Sequence, residues 1–225
     1  MIKQVLFDGK VEVGISEIKD GNMRFFGDGD EQEIINNQRN LSELIALDGA
    51  ARIRTIYGKR EVFTDYFEIT EKNLSDYSIE NSEEKIPVSD GLVTKEKEVG
   101  LLLPLADCLG VVAFDKKQGI VGLLHAGRHN IEQNGPKKFI GFFVNNFGSN
   151  TTDIKLYFSP YALNYRIAKL DKKGLAEAAT EQFLEAGIPP ENISDPKIDT
   201  VGSVNFPSNS DSDVTKRFAV VVKQH

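Results

Sequence analysis

Residues able to hold a metal ion or attack an electrophile crowd into one window, "LLLPLADCLGVVAFDKKQGIVGLLHAGRHN", from Leu101 to Asn130. It contains the chain's only cysteine, Cys108, two of its three histidines, His125 and His129, and Asp107 next to the thiol. A thiol beside an imidazole supports two chemistries. The ring can lower the thiol's pKa and yield a thiolate nucleophile. Alternatively, Cys sulfur and His nitrogen are two ligands of a zinc site that needs one or two more.

Spacing decides whether the pair can meet. Phe114 and Gly119 flank "DKKQ", a polar connection between two apolar runs and a plausible hairpin loop. With Phe114 facing Gly119, Cys108 falls opposite His125, both on one sheet face with Cβ atoms about 5 Å apart. Taken singly, a cysteine is most often a buried apolar residue and a lone core histidine a hydrogen-bonded one. Their joint occurrence with Asp107, before a Gly-containing turn, favours a site.

The surrounding elements must hold that pair in place. "KQVLF" and "KVEVGI" read as strands around the turn "DGK". "GDGDEQEIINNQRNLSELIAL" reads as a helix capped by Asp28 or Asp30, with Ile34, Ile35, Leu41, Leu44 and Ile45 at helical spacing. "EVFTDYFEIT" reads as a strand, and residues 71–87 as a polar surface loop. "GLVT", "GLLLPLADC", "LGVVAFD" and "GIVGLLHAG" are the most apolar segments and read as central strands. Gly135-Pro136 opens a helix, "DIKLYFSP" is a strand, "DKKGLAEAATEQFLEAGIPP" a helix capped by Asp171, and "RFAVVVK" a last strand. Strands outnumber helices and many are joined by hairpins. The expected fold is a single α/β domain over residues 1–225, with a mixed sheet and helices outside.

Composition narrows the function. A formal charge of −7 and a pI near 5.1 argue against a nucleic-acid partner, because phosphate contacts need a concentrated basic face. No apolar run is long enough for a signal peptide or a membrane span, and one cysteine makes no internal disulfide, so a cytoplasmic setting is expected. "GDGDEQEIINNQ" starts like a calcium loop but has Glu33 where Gly is needed and Arg39 where Glu is needed. Dedicated nucleotide loops are absent.

"SDGLVT", then "LPLADCLGVVAFD", then "GIVGLLHAG" resemble the laccase-domain family (polyphenol oxidase, YfiH-like), whose members carry D-A-L-V-T, A-D-C-x-P-V-L-L-x-D and H-A-G-W-R-G elements. Weaker matches run along the chain. Asn37 and Gln38 stand at the family's early E-N-R element, and Ser159-Pro160 with Tyr165 at its G-P-x-I-G-x-x-Y-E-V element. Ser208, Arg217 and Phe218 match its closing strand. The resemblance implies a layered α/β/β/α domain and a site of two histidines and one cysteine binding zinc, or copper in older descriptions. It also implies a purine nucleoside enzyme, performing phosphorolysis of adenosine, inosine and methylthioadenosine and deamination of adenosine. The resemblance implies that Cys108 and His125, by position, would be two of the three ligands.

The pattern breaks at three places. "RTIYGKR" puts Tyr57 where the family has its third ligand, a histidine. The H-A-G-W-R-G turn has become His125-Ala126-Gly127-Arg128-His129-Asn130, and the closing Arg is Ser210. His129 is a candidate replacement ligand and Arg128 a candidate anion anchor, with Asn37 and Tyr57 as further substrate contacts and Asp107 assisting proton movement. Three functions are therefore weighed: a zinc-dependent nucleoside enzyme taking nucleoside and phosphate, a metal-free Cys–His hydrolase or deamidase, and a non-catalytic nucleoside- or protein-binding descendant.

Overall fold

The computed structural model of the chain describes residues 1–25, 30–56, 60–211 and 216–225. Strands β1 (Ile2–Leu6) and β2 (Val11–Ile15) form the expected antiparallel hairpin. Helix α1 (Glu31–Glu43) is capped by Asp30, whose carboxylate accepts the Gln32 N–H at 2.9 Å; the alternative cap, Asp28, lies outside the described residues. Then come β3 (Ala50–Arg52), β4 (Tyr66–Ile69), the short α2 (Leu74–Tyr77), β5 (Gly91–Thr94), β6 (Gly100–Leu105), β7 (Leu109–Asp115) and β8 (Ile120–Ala126). The order continues with α3 (Arg128–Glu132), α4 (Gly135–Phe147), β9 (Ile154–Phe158), β10 (Arg166–Ile167), β11 (Lys173–Gly174), α5 (Leu175–Glu185), β12 (Ile193–Ser194) and β13 (Phe218–Gln224).

The strands make a five-stranded sheet, β1-β2-β13-β6-β3, and a six-stranded sheet, β12-β9-β7-β8-β5-β4, with β10 and β11 paired separately. Both large sheets are mixed: β3 runs parallel to β6, and β4 to β5, among antiparallel neighbours. Alternate side chains explain the layering, because successive residues of a strand face opposite sides. Leu101, Leu103 and Leu105 of β6 pack with Val112, Phe114, Val121 and Leu123 between the sheets. Leu102, Ala219 and Val221 face the other way, onto Leu41 and Ile45. On the far face of the second sheet, Val111, Ala113 and Leu124 meet Phe139, Phe143, Ala179 and Phe183 from α4 and α5. The result is the layered α/β/β/α domain. The central strands read as unbroken apolar runs because both of their faces are covered.

Three local expectations change. The stretch 71–87 is more than surface loop, since Tyr77, Ile79 and Ile86 are buried. Helix α5 is capped by Gly174 and the Glu177 carboxylate, which accepts the Gly174 N–H at 3.1 Å, and not by Asp171, which stands ahead of it at φ 50°. The β7–β8 hairpin is also set differently: Phe114 faces Val121 and Gly110 faces His125, so the expected register is displaced by two residues. Among the described residues no helix is long and apolar enough to cross a membrane.

Candidate active site

Strand β6 belongs to one sheet and β7 to the other, so Ala106–Cys108 must carry the chain across the end of the sandwich. Asp107 makes the turn at φ 71°, a left-handed conformation that Asp tolerates better than most residues. At the same end β8 stops and Gly127 leads into α3. The two sequence-predicted residues converge there. A side chain at Gly127 would place its Cβ 3.2 Å from Cys108 Sγ, 3.1 Å from His125 Nε2 and 2.7 Å from His125 Cε1. Thiol and imidazole thus approach one point, which stays open only because residue 127 has no side chain.

His125 is 5% exposed and its backbone N–H donates to the Asp90 carbonyl at 2.8 Å. Burial, helped by the charges of Arg24 and Arg60, pulls its pKa down to about 3. The ring is therefore neutral at physiological pH, with one nitrogen carrying a lone pair and the other an N–H. Beneath it the buried Asp90 carboxylate accepts from both Arg60 Nη atoms and from the Asp65 N–H. Burial raises the Asp90 pKa against the opposing pull of Arg60.

Asp107 lines the same cleft, and its carboxylate is engaged by the loop that precedes β13. Oδ1 accepts the Thr200 hydroxyl at 2.9 Å; Oδ2 accepts the Ser210 N–H and hydroxyl, both at 2.8 Å. Ser210, where the sequence departs from the family pattern, thus joins Thr200 in tying this loop to the site. Arg128 is exposed, with Nη2 3.0 Å from His129 Nε2. The His129 ring stacks on Phe63 at 4.6 Å, and its Nδ1 stands 3.8 Å from Glu132. Asn37 is not at the cleft; its Nδ2 donates to the Asn22 carbonyl at 3.0 Å. Tyr57 lies outside the described residues.

The cleft has a volume of about 520 Å³. Cys108, His125, Arg128, His129 and Tyr165 line it, and so do Arg24 and Arg217, which carried no site reading in the sequence. Arg24 donates from Nη2 to the Thr55 carbonyl at 2.6 Å, and Arg217 from Nη2 to Asn209 Oδ1 at 3.0 Å. No local pattern marks Arg24; only the long-range fold brings it here. Asp107 is the one carboxylate of the described lining, against three guanidinium groups, so this end of an acidic protein is locally cationic. As for a metal, Cys108 and His125 supply two suitable donors, one soft and one nitrogen, where catalytic zinc takes three from the protein. Among the described residues no group of three His, Cys, Asp or Glu side chains could hold an ion. That set does not by itself fit a zinc or copper centre.

The comparisons with known proteins agree with this architecture. A family model described as multi-copper polyphenol oxidoreductase laccase matches residues 10–169. A purine nucleoside phosphorylase of Borreliella burgdorferi is 27% identical over 112 residues, 49% of this chain and 48% of that protein. One from Campylobacter jejuni is 28% identical over 149 residues, 59% of this chain and 66% of that protein. The matched stretch thus spans between about half and two thirds of these two relatives. In fold, the chain superposes on YlmD from Geobacillus stearothermophilus with a TM-score of 0.84 at 20% identity, covering 96% and 92% of the two chains. It superposes on the hypothetical protein YfiH of Bacillus licheniformis with a TM-score of 0.82 at 19% identity, covering 96% and 93%.

Proposed function

We propose, of a chain that belongs to the multi-copper polyphenol oxidoreductase laccase family, that it is a purine nucleoside enzyme whose reaction is phosphorolysis, carried out in the cleft between Cys108 and the three arginines. The observation that carries this reading is the convergence of Cys108 and His125 at the mouth of a cavity with Arg24, Arg128 and Arg217 in its lining. Guanidinium groups match a phosphate's oxygens in geometry and charge. A cavity of about 520 Å³ is within the range that accommodates a nucleoside-sized ligand. The names of the curated relatives support the same substrate class.

In this reading the arginines hold phosphate and Tyr165 offers its ring to the purine. A phosphate oxygen forms the bond to ribose C1′ as the C1′–N9 bond breaks, its electron pair leaving with the purine, which takes up the proton that hydrogen phosphate gives up. His125, being neutral, accepts a hydrogen bond from the incoming phosphate. Zinc or copper, if bound, would act as a Lewis acid at Cys108 and His125. With two donors among the described residues no step is assigned to it, and His129, stacked on Phe63 with its Nε2 3.0 Å from Arg128 Nη2, does not make a third. Deamination of adenosine is the accompanying activity. The metal-free thiolate–imidazolium alternative is the weaker one, since such a pair needs a charged ring.

The test is to purify the protein without chelator, count metal per chain and follow phosphate-dependent release of hypoxanthine from inosine and adenine from adenosine. Base release that requires phosphate and is lost in Cys108→Ser and His125→Ala supports the proposal. No base or ammonia release from either nucleoside, with metal replete, overturns it.

A further inference from the structure

Asn22 stands outside the cleft lining, yet one side chain of this half-buried residue binds the backbones of two arginines that reach into it. Its Oδ1 accepts the Arg24 N–H at 3.2 Å and the Arg217 N–H at 3.0 Å, and its Nδ2 donates to the Arg24 carbonyl at 2.7 Å. The main chains are laced together as well, the Met23 N–H donating to the Arg217 carbonyl at 3.0 Å.

The bracket is itself held from α1. Asn37 Nδ2 donates to the Asn22 carbonyl at 3.0 Å, and Gln38 Nε2 donates to the Met23 carbonyl. Gln38 is in turn fixed by Arg52 Nη1, which donates to its Oε1 at 3.0 Å. Gly21, at φ 86°, lets the chain pass where the Asn37 amide occupies the place of a Cβ. Thus Asn37 acts on the arginine-bearing segment through Asn22, and Gln38 through Met23.

We propose that Asn22 is a positioning residue that presets Arg24 and Arg217 as a paired receptor for an oxyanion, phosphate in the reading above, on which this inference rests. Arginine side chains lose much rotamer freedom when they clamp a ligand, and fixing their backbones beforehand lowers that cost. Asparagine suits the task because one short side chain offers both an acceptor with two lone pairs and a donor. Aspartate could accept both N–H groups but could not donate to the Arg24 carbonyl.

The experiment compares the full chain with Asn22→Ala, Asn22→Ser and Arg24→Ala, measuring amide hydrogen exchange, calorimetric binding of inorganic phosphate and binding of inosine. The expected result for Asn22→Ala is joint acceleration of exchange at the Arg24 and Arg217 amides. Phosphate should bind about tenfold more weakly, the scale of leaving the two arginine-bearing backbone segments to be ordered by the ligand. Inosine affinity should change less than twofold, whereas a merely structural role would weaken both ligands together. Unchanged exchange at the two amides overturns the proposal, and so does unchanged phosphate affinity when Arg24→Ala has lost it. Phosphate binding that survives Arg24→Ala overturns the cleft's phosphate reading instead. Should Asn22→Ala fail to fold, Asn22→Ser, which keeps a small polar group, carries the same comparison.

Discussion

Replacing Gly127 by alanine tests the Cys108–His125 convergence directly. The backbone at 127, φ −82° and ψ 171°, is ordinary extended chain open to any residue, so the substitution carries no conformational penalty of its own. The new methyl would sit 2.7 Å from His125 Cε1 where carbon atoms rest at about 3.5–4.0 Å, a deficit of about 1 Å. The ring has little room to retreat: His125 is 5% exposed and its backbone N–H is fixed on the Asp90 carbonyl. The methyl would also stand 3.2 Å from Cys108 Sγ, so the strain falls on the two groups whose approach is being tested. Such overpacking costs about 1–3 kcal/mol, or several degrees of melting temperature for a chain of this length. A displacement near 1 Å at the reacting groups lowers turnover by about 10²-fold. The assay is hypoxanthine release from inosine with saturating phosphate, alongside thermal melting and the rate at which Cys108 reacts with a disulfide reagent. A Gly127→Ala protein that keeps more than half its turnover, with unaltered thiol reactivity, would show that the two groups do not work together at that point.

Two other perturbations have defined outcomes. Asp107→Ala removes the acceptor of three hydrogen bonds from Thr200 and Ser210; a loss of about 2–4 kcal/mol in denaturant melts is expected, with faster proteolysis near the exposed Val201 and Val204. Glu12 is buried, which opposes its ionisation, but Lys3 at 2.7 Å, with His225 and Lys223, outweighs that and holds its pKa below 4.5. A depressed carboxylate stabilises the fold above its unfolded pKa and loses that contribution as pH falls through the folded one. Glu12→Gln should therefore cost about 1 kcal/mol near neutrality and flatten the acid side of a stability–pH curve, a difference absent if the two curves run parallel.

Much of this molecule is legible locally. Apolar runs doubly covered by helices and by a facing sheet identify β5 to β8 and β13, and Gly135-Pro136 marks the start of α4. The cleft's cationic half is not legible, because its connections span the chain. Asn22 meets Arg217 across 195 positions, and Asp107 meets Thr200 and Ser210 across 93 and 103. No periodicity links such residues. Asn37 shows the same limit from the other side: its residue type and family position suggested substrate contact, while packing assigns it to the Asn22 carbonyl behind the cleft.

The hairpin register shows why a partly incorrect local reading could still locate the site. Pairing Phe114 with Val121 instead of Gly119 displaces every partner by two residues, and the side-chain period of a strand is also two. His125 therefore keeps its face and becomes diagonal to Cys108 instead of directly opposite. Continuing the ladder one step past Leu109–Ala126 sets Gly127 against Cys108. The true register thereby supplies a reason for the glycine that the expected one lacked. A diagonal imidazole can lean toward the sulfur only if the residue directly across from that sulfur leaves the space empty. A displacement of one residue would have turned the ring to the other face of the sheet, into the helix-covered core with Leu124 and Phe139, and no cleft would join it to the thiol.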